Sequence, residues 1–174
     1  VETWGDISRQ MGVYEWYFGS GYSVPEAHGE FLARGLQHAY ANGARAVYSE
    51  VYPNWGLDGW KVWVFGKLLW DPSRDWQALN DDFVTGFFAE AAEPMGEYVA
   101  LCEELGRRRV AVTDPETGRE QWYFFRDPEQ FERWPQEEID RAQALLDAAL
   151  AACTTDATRA RVRYFADSFG VTRI

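Results

Sequence analysis

The sequence predicts an α-rich α/β protein: one strand–helix–strand unit near its start, then a run of helices. Three observations predict it. "GVYEWYFGSG" and "RAVYSEV" are short β-branched and aromatic stretches with turn residues beyond them. A single amphipathic helix pattern lies between the two. Most later segments also repeat their apolar residues at helical spacing.

In chain order, the first strand covers residues 12–21 and ends at Gly19, Ser20 and Gly21, with Pro25 reinforcing the break. In "EAHGEFLARGLQHAYANGA", Phe31, Leu32, Leu36, Ala39 and Tyr40 form one helical stripe, and Asn42-Gly43 supplies its stop. Residues 45–51 are the second strand. One helix crossing between two strands forces them to run parallel. Asp58 can cap a helix running to Trp70, apolar nearly all round and therefore buried on more than one side. Pro72 ends it by pushing Asp71 out of the α region.

Asp75 opens the next helix, with Trp76, Leu79, Phe83 and Phe87 on one stripe. Pro94 fits the first turn of another, striped by Met95, Tyr98, Cys102 and Leu105. "RRVAVTDPETGREQWYFF", near residues 108–125, reads as a hairpin around "DPETG". "RDPEQFERW" is a short helix with Asp127 as cap and Pro128 in its first turn. Pro135 opens a long helix to about Cys153, with Ile139, Ala142, Leu146 and Leu150 on its stripe. Thr155 caps the last helix, which buries Val162, Phe165 and Phe169.

These parts do not balance. Parallel strands that are apolar along most of their length need neighbouring strands and helices on both faces, and two alone make no core. The expectation is a piece of a longer parent, with the remaining strands upstream. That the chain opens on Val1 rather than Met fits it.

At 174 residues and 47% hydrophobic, the chain is long enough and apolar enough for a real core. Its net charge of -11 repels phosphate backbones and anionic lipids, so neither nucleic acid nor membrane is an expected partner. The basic run Arg107, Arg108 and Arg109 reads as a solvated loop or an ion-pairing patch. Two Cys and two His lie scattered, without metal-ligand spacing, and no phosphate-binding glycine loop appears; no cofactor or metal is expected. Cys102 and Cys153 read as free buried thiols, with a disulfide as the alternative only if their two helices pack.

In α/β proteins, ligands bind beyond the carboxyl ends of parallel strands. Glu50, Tyr52, Asn54 and Trp55 occupy that place after the second strand, and Tyr22 and His28 after the first. A carboxylate there can act as acid or base, or accept sugar hydroxyls, while Tyr and Trp faces stack on sugar rings. The plainer alternative has Glu50 bound to a backbone N–H or an arginine and Trp55 filling the core. Glu15, in an otherwise apolar strand, needs a partner or a cavity. Facing inward it would pair with Glu50, and paired carboxylates are the machinery of glycoside hydrolysis. Tyr17 is a further neighbour of the same strand end.

Trp4, "VYEWYF", Pro25, "NGARAVYSE", "YPNWGLDG" and "KLLWDPSRDWQALNDDFVTGFFAEAAEPMGEY" together resemble the domain-of-unknown-function family numbered 4838. The likeness runs from about Trp4 to Glu103. Its most specific element is "LLWDP", with Asp75 and Phe83 behind it and the Ala91-Ala92 pair beyond. Members are large bacterial proteins, many resembling α-glucuronidases and other glycoside hydrolases with (β/α)8 (TIM) barrels. The resemblance implies that the two strands are the last two of such a barrel. Residues 1–72 would then be its final βα units, and residues 73–174 a C-terminal helical bundle. It implies a carbohydrate substrate, and an upstream barrel region of the same parent as partner. Catalytic residues in related barrels often sit on middle strands, which implies that this stretch alone is inactive. The expected function is to bind, and in the parent to hydrolyse, a polysaccharide or glycoside. Glu50 and Glu15 are the candidate catalytic groups, and Tyr17, Tyr22, His28, Tyr52, Asn54 and Trp55 the substrate contacts. A non-catalytic carbohydrate-binding module or a protein-interaction scaffold is the alternative.

Overall fold

A computed structural model describes residues 2–8, 10–18, 21–51, 55–108, 112–113, 120–121 and 129–173. It is helix-rich with a small parallel sheet, as the apolar periodicities require. Helix α1 (Glu2–Ile7) precedes strand β1 (Met11–Tyr14), helix α2 (Gly29–Ala41) and strand β2 (Ala44–Tyr48). β1 and β2 pair in parallel, with Val13 opposite Val47 and Tyr14 opposite Tyr48. Along β1, Met11 and Val13 are half-buried while Gly12 and Tyr14 are exposed, so one face of the sheet meets the helices and the other is open.

Both strands are shorter than their apolar runs. β1 stops at Tyr14 because the consecutive residues Tyr17 and Phe18 both turn into the core, which strand alternation cannot do. β2 stops at Tyr48 and not at Val51, which leaves Glu50 in the loop beyond.

Helix α3 (Trp55–Trp70) begins earlier than expected but consists of two helical stretches meeting at a kink, and the second opens, as expected, at Asp58, where φ is −148° and ψ 24°. The Asp58 carboxylate holds the Lys61 ammonium at 2.8 Å, one turn on. Helix α4 (Trp76–Phe88) starts where predicted, with the Asp75 side chain accepting the Ala78 N–H at 2.8 Å. A short 3₁₀ turn, Ala89–Ala91, leads to helix α5 (Ala92–Arg107), which buries Met95, Tyr98, Cys102 and Leu105 as its stripe requires. Strands β3 (Val112–Thr113) and β4 (Glu120–Gln121) pair antiparallel as the expected hairpin, whose turn lies outside the described residues. The next segment is a 3₁₀ helix (Gln130–Arg133); Asp127 and Pro128 fall outside the described residues. Helices α6 (Gln136–Ala152) and α7 (Asp156–Phe169) complete the chain, the latter capped by Thr155.

The larger core gathers Tyr22, Val24, Ala27, Leu57 and Trp60 with the inner faces of α4 to α7. It therefore spans the expected boundary at residue 72. A smaller cluster, with Tyr17, Phe18, Leu32, Leu36, Val64 and Leu68, packs α2 against α3. Cys102 and Cys153 are both buried and free. In the basic run Arg108 reaches Glu104 at 2.7 Å and Glu138 at 3.3 Å, as the second of its two readings has it, while Arg109 lies outside the described residues. Among the described residues, no helix is long and apolar enough to cross a membrane.

Candidate site at the strand ends

The open face of the sheet carries aromatic rings. Tyr14 and Tyr48, paired across the strands, are 52% and 62% exposed, with ring centroids 5.0 Å apart. Trp16 stands 5.4 Å from Tyr14. Just beyond β2 the Tyr14 hydroxyl donates to Glu50 Oε1 at 2.6 Å. A short bond to a carboxylate is charge-assisted and holds its oxygen in place. Trp55, first residue of α3, is half exposed. Tyr52 and Asn54 lie outside the described residues.

The other sequence candidates go elsewhere. Glu15 is half-buried, and its carboxylate accepts the neighbouring Trp16 N–H at 2.9 Å; its own N–H continues the ladder to the Tyr48 carbonyl at 3.1 Å. Glu15 and Glu50 thus make these bonds to different partners. Tyr17 is buried against α2, where a Cβ on Gly35 would meet its hydroxyl at 3.0 Å. Burial first, and the Glu15 charge second, push the Tyr17 hydroxyl up to about 12. Tyr22 belongs to the larger core. His28 Nε2 sits 2.8 Å from the Tyr17 carbonyl, tying the start of α2 to the exit of β1. His28 also lines an open groove of about 770 Å³ along α2, with Phe31, Arg34, Glu103 and Arg107.

Beneath the strand ends lies a set of buried charges that residue types did not single out. Lys61 is fully enclosed, donating to the Glu26 carbonyl at 2.5 Å as well as to Asp58. Glu26 is itself buried and paired with Arg133. Glu103, only 4% exposed, accepts the Gly29 N–H at 2.9 Å and lies 3.4 Å from the Trp60 indole nitrogen. It sits at the N-terminus of α2, where a negative charge is favoured. Desolvation nevertheless outweighs those bonds and raises its carboxyl above the usual range. One sequence signal for this set existed: a lone lysine inside the apolar "WKVWVF". Among the described residues, no cluster of His, Cys, Asp and Glu is placed to hold a metal.

No curated protein and no solved structure matches the chain. A family model does match, over residues 1–100. Those residues hold the parallel sheet, the strand-end loops and the helices that pack on them, close to the span carrying the sequence resemblance. The chain therefore belongs to the family described as domain of unknown function (DUF4838).

Proposed function

We propose that this chain forms the closing strands and one wall of a carbohydrate-binding cleft in a glycoside-hydrolase-like protein. The observation that carries the reading is the Tyr14–Glu50 hydrogen bond beside two exposed tyrosine rings. Sugar recognition needs apolar ring faces next to a fixed hydrogen-bond acceptor, and this sheet offers both. The open sheet face and the two strands' outer edges support further strands of a barrel upstream, since a parallel pair is not a self-sufficient sheet. Glycoside hydrolysis needs two carboxylates flanking the bond. Glu50 would be one, and the upstream strands, or Glu15 after a change of rotamer, would supply the other.

Titration with a panel of glycosides and polysaccharides, followed by tryptophan fluorescence, tests the reading. The chain and the longest natural product containing it are both assayed. Tyr14→Phe should weaken binding by about two- to tenfold, the worth of one hydrogen bond. Glu50→Gln should abolish any turnover. Binding and turnover unchanged in both variants would remove the site. The Glu15 carboxylate, bonded to the Trp16 N–H while Tyr14 holds Glu50, favours a second reading, in which the strand ends bind without catalysis. Sugar binding by the longer product with no hydrolysis in the wild type would select it.

A further inference from the structure

We infer that residues 129–173 form an intramolecular clasp on the loop leaving β1, with Arg133 as its positioning residue. Residues 21–28 form no helix or strand, yet Tyr22, Val24, Pro25, Glu26 and Ala27 are all buried. A buried irregular segment must have its backbone groups satisfied from outside itself. Here the partners come from far along the chain. Gln130 accepts the Ser23 N–H at 2.7 Å and approaches the Gly21 carbonyl at 3.5 Å. Thr172 donates its hydroxyl to the Ser23 carbonyl at 2.6 Å. Arg133 grips the Glu26 carboxylate while Lys61 takes the carbonyl of the same residue.

Gln130, Arg133 and Thr172 all lie beyond the stretch matched by the family model. They belong to two separate segments that converge on one loop. A buried ion pair contributes little net stability over an apolar pair of the same size, yet it tolerates only one arrangement. Its use here is therefore to select the conformation of the loop. The effect reaches the strand ends, because the loop finishes at His28, which is bonded to the Tyr17 carbonyl, and at Gly29, which opens α2. None of this depends on whether Glu50 meets a sugar.

Amide hydrogen exchange on the intact chain separates positioning from plain stability. The double variant Glu26→Gln/Arg133→Met removes both charges of the pair together, so the melting temperature should stay near that of the wild type. Exchange at Ser23, Ala27 and Gly29 should nevertheless rise by about tenfold or more, with amides in α5 and α6 unchanged. Arg133→Met alone, which takes the guanidinium from the buried Glu26 carboxylate, should melt below the double variant. Thr172→Val removes a hydroxyl and no charge, and gives the same local readout if the charge variants fail to fold. Loop exchange that stays at the wild-type rate, or that rises only in step with α5 and α6, overturns the clasp.

Discussion

A carboxylate held away from water, as Glu103 is, makes stability depend on pH in a direction that can be worked out. Its carboxyl titrates above the ordinary value of 4.5 because burial disfavours the charge. The folded chain therefore holds this proton more tightly than the unfolded chain. The resulting stabilisation is full below 4.5 and is lost as pH rises through the folded value. Glu103→Gln, which keeps an acceptor for Gly29 and Trp60, should flatten that part of the melting-temperature profile. Glu103→Ala should instead cost about 1–3 kcal/mol, since it orphans buried donors. Glu90 has the opposite sign. Its own N–H, those of Thr155 and Thr154, and the Thr158 hydroxyl hold it down to about 2. The stability it gives is present above 4.5 and disappears as pH falls toward 2, so Glu90→Gln should flatten the acid limb of the same profile. Neither role was legible in the sequence, because each depends on donors contributed by another element. Tyr14 was missed for the same reason: its partner Glu50 is 36 positions away. Glu50 itself was legible, as a carboxylate just past an apolar strand.

Elements follow their local signals where the signal is local. Asp75 and Thr155 cap the helices they were expected to cap, because a cap needs only its own next turn. The end of β1 was hidden, since tertiary burial of Tyr17 and Phe18 decides it. Between α4 and α5, Ala89 adopts φ 46° and ψ −112°, a conformation that costs an alanine strain. Ala89→Gly should release about 1 kcal/mol and raise the melting temperature by roughly 2–4 °C, measurable by calorimetry. Gly106→Ala should act in the other direction. A Cβ there would lie 1.6 Å from the Ala27 carbonyl, and backbone cannot step aside as a flexible side chain can. A loss of about 3 kcal/mol or more in denaturant titration is expected, at the upper end for overpacking.

For the whole molecule, the apolar stripes gave the order of elements but not which halves would share a core. Leu57 and Trp60 pack in one cluster with Val162 and Phe169, so the early α/β unit and the late helices should unfold together. Far-UV circular dichroism and tryptophan fluorescence should then trace one coincident transition; two separated midpoints would show that the shared core is not cooperative. The clasp on the β1 loop also has a consequence in time. The contact between Ser23 and Thr172 closes across 149 positions and those of Gln130 and Arg133 across 107. During synthesis the loop emerges long before Gln130, Arg133 and Thr172, and contacts of such separation form late. On the ribosome the strand-end wall should stay unset until Thr172 has left the tunnel.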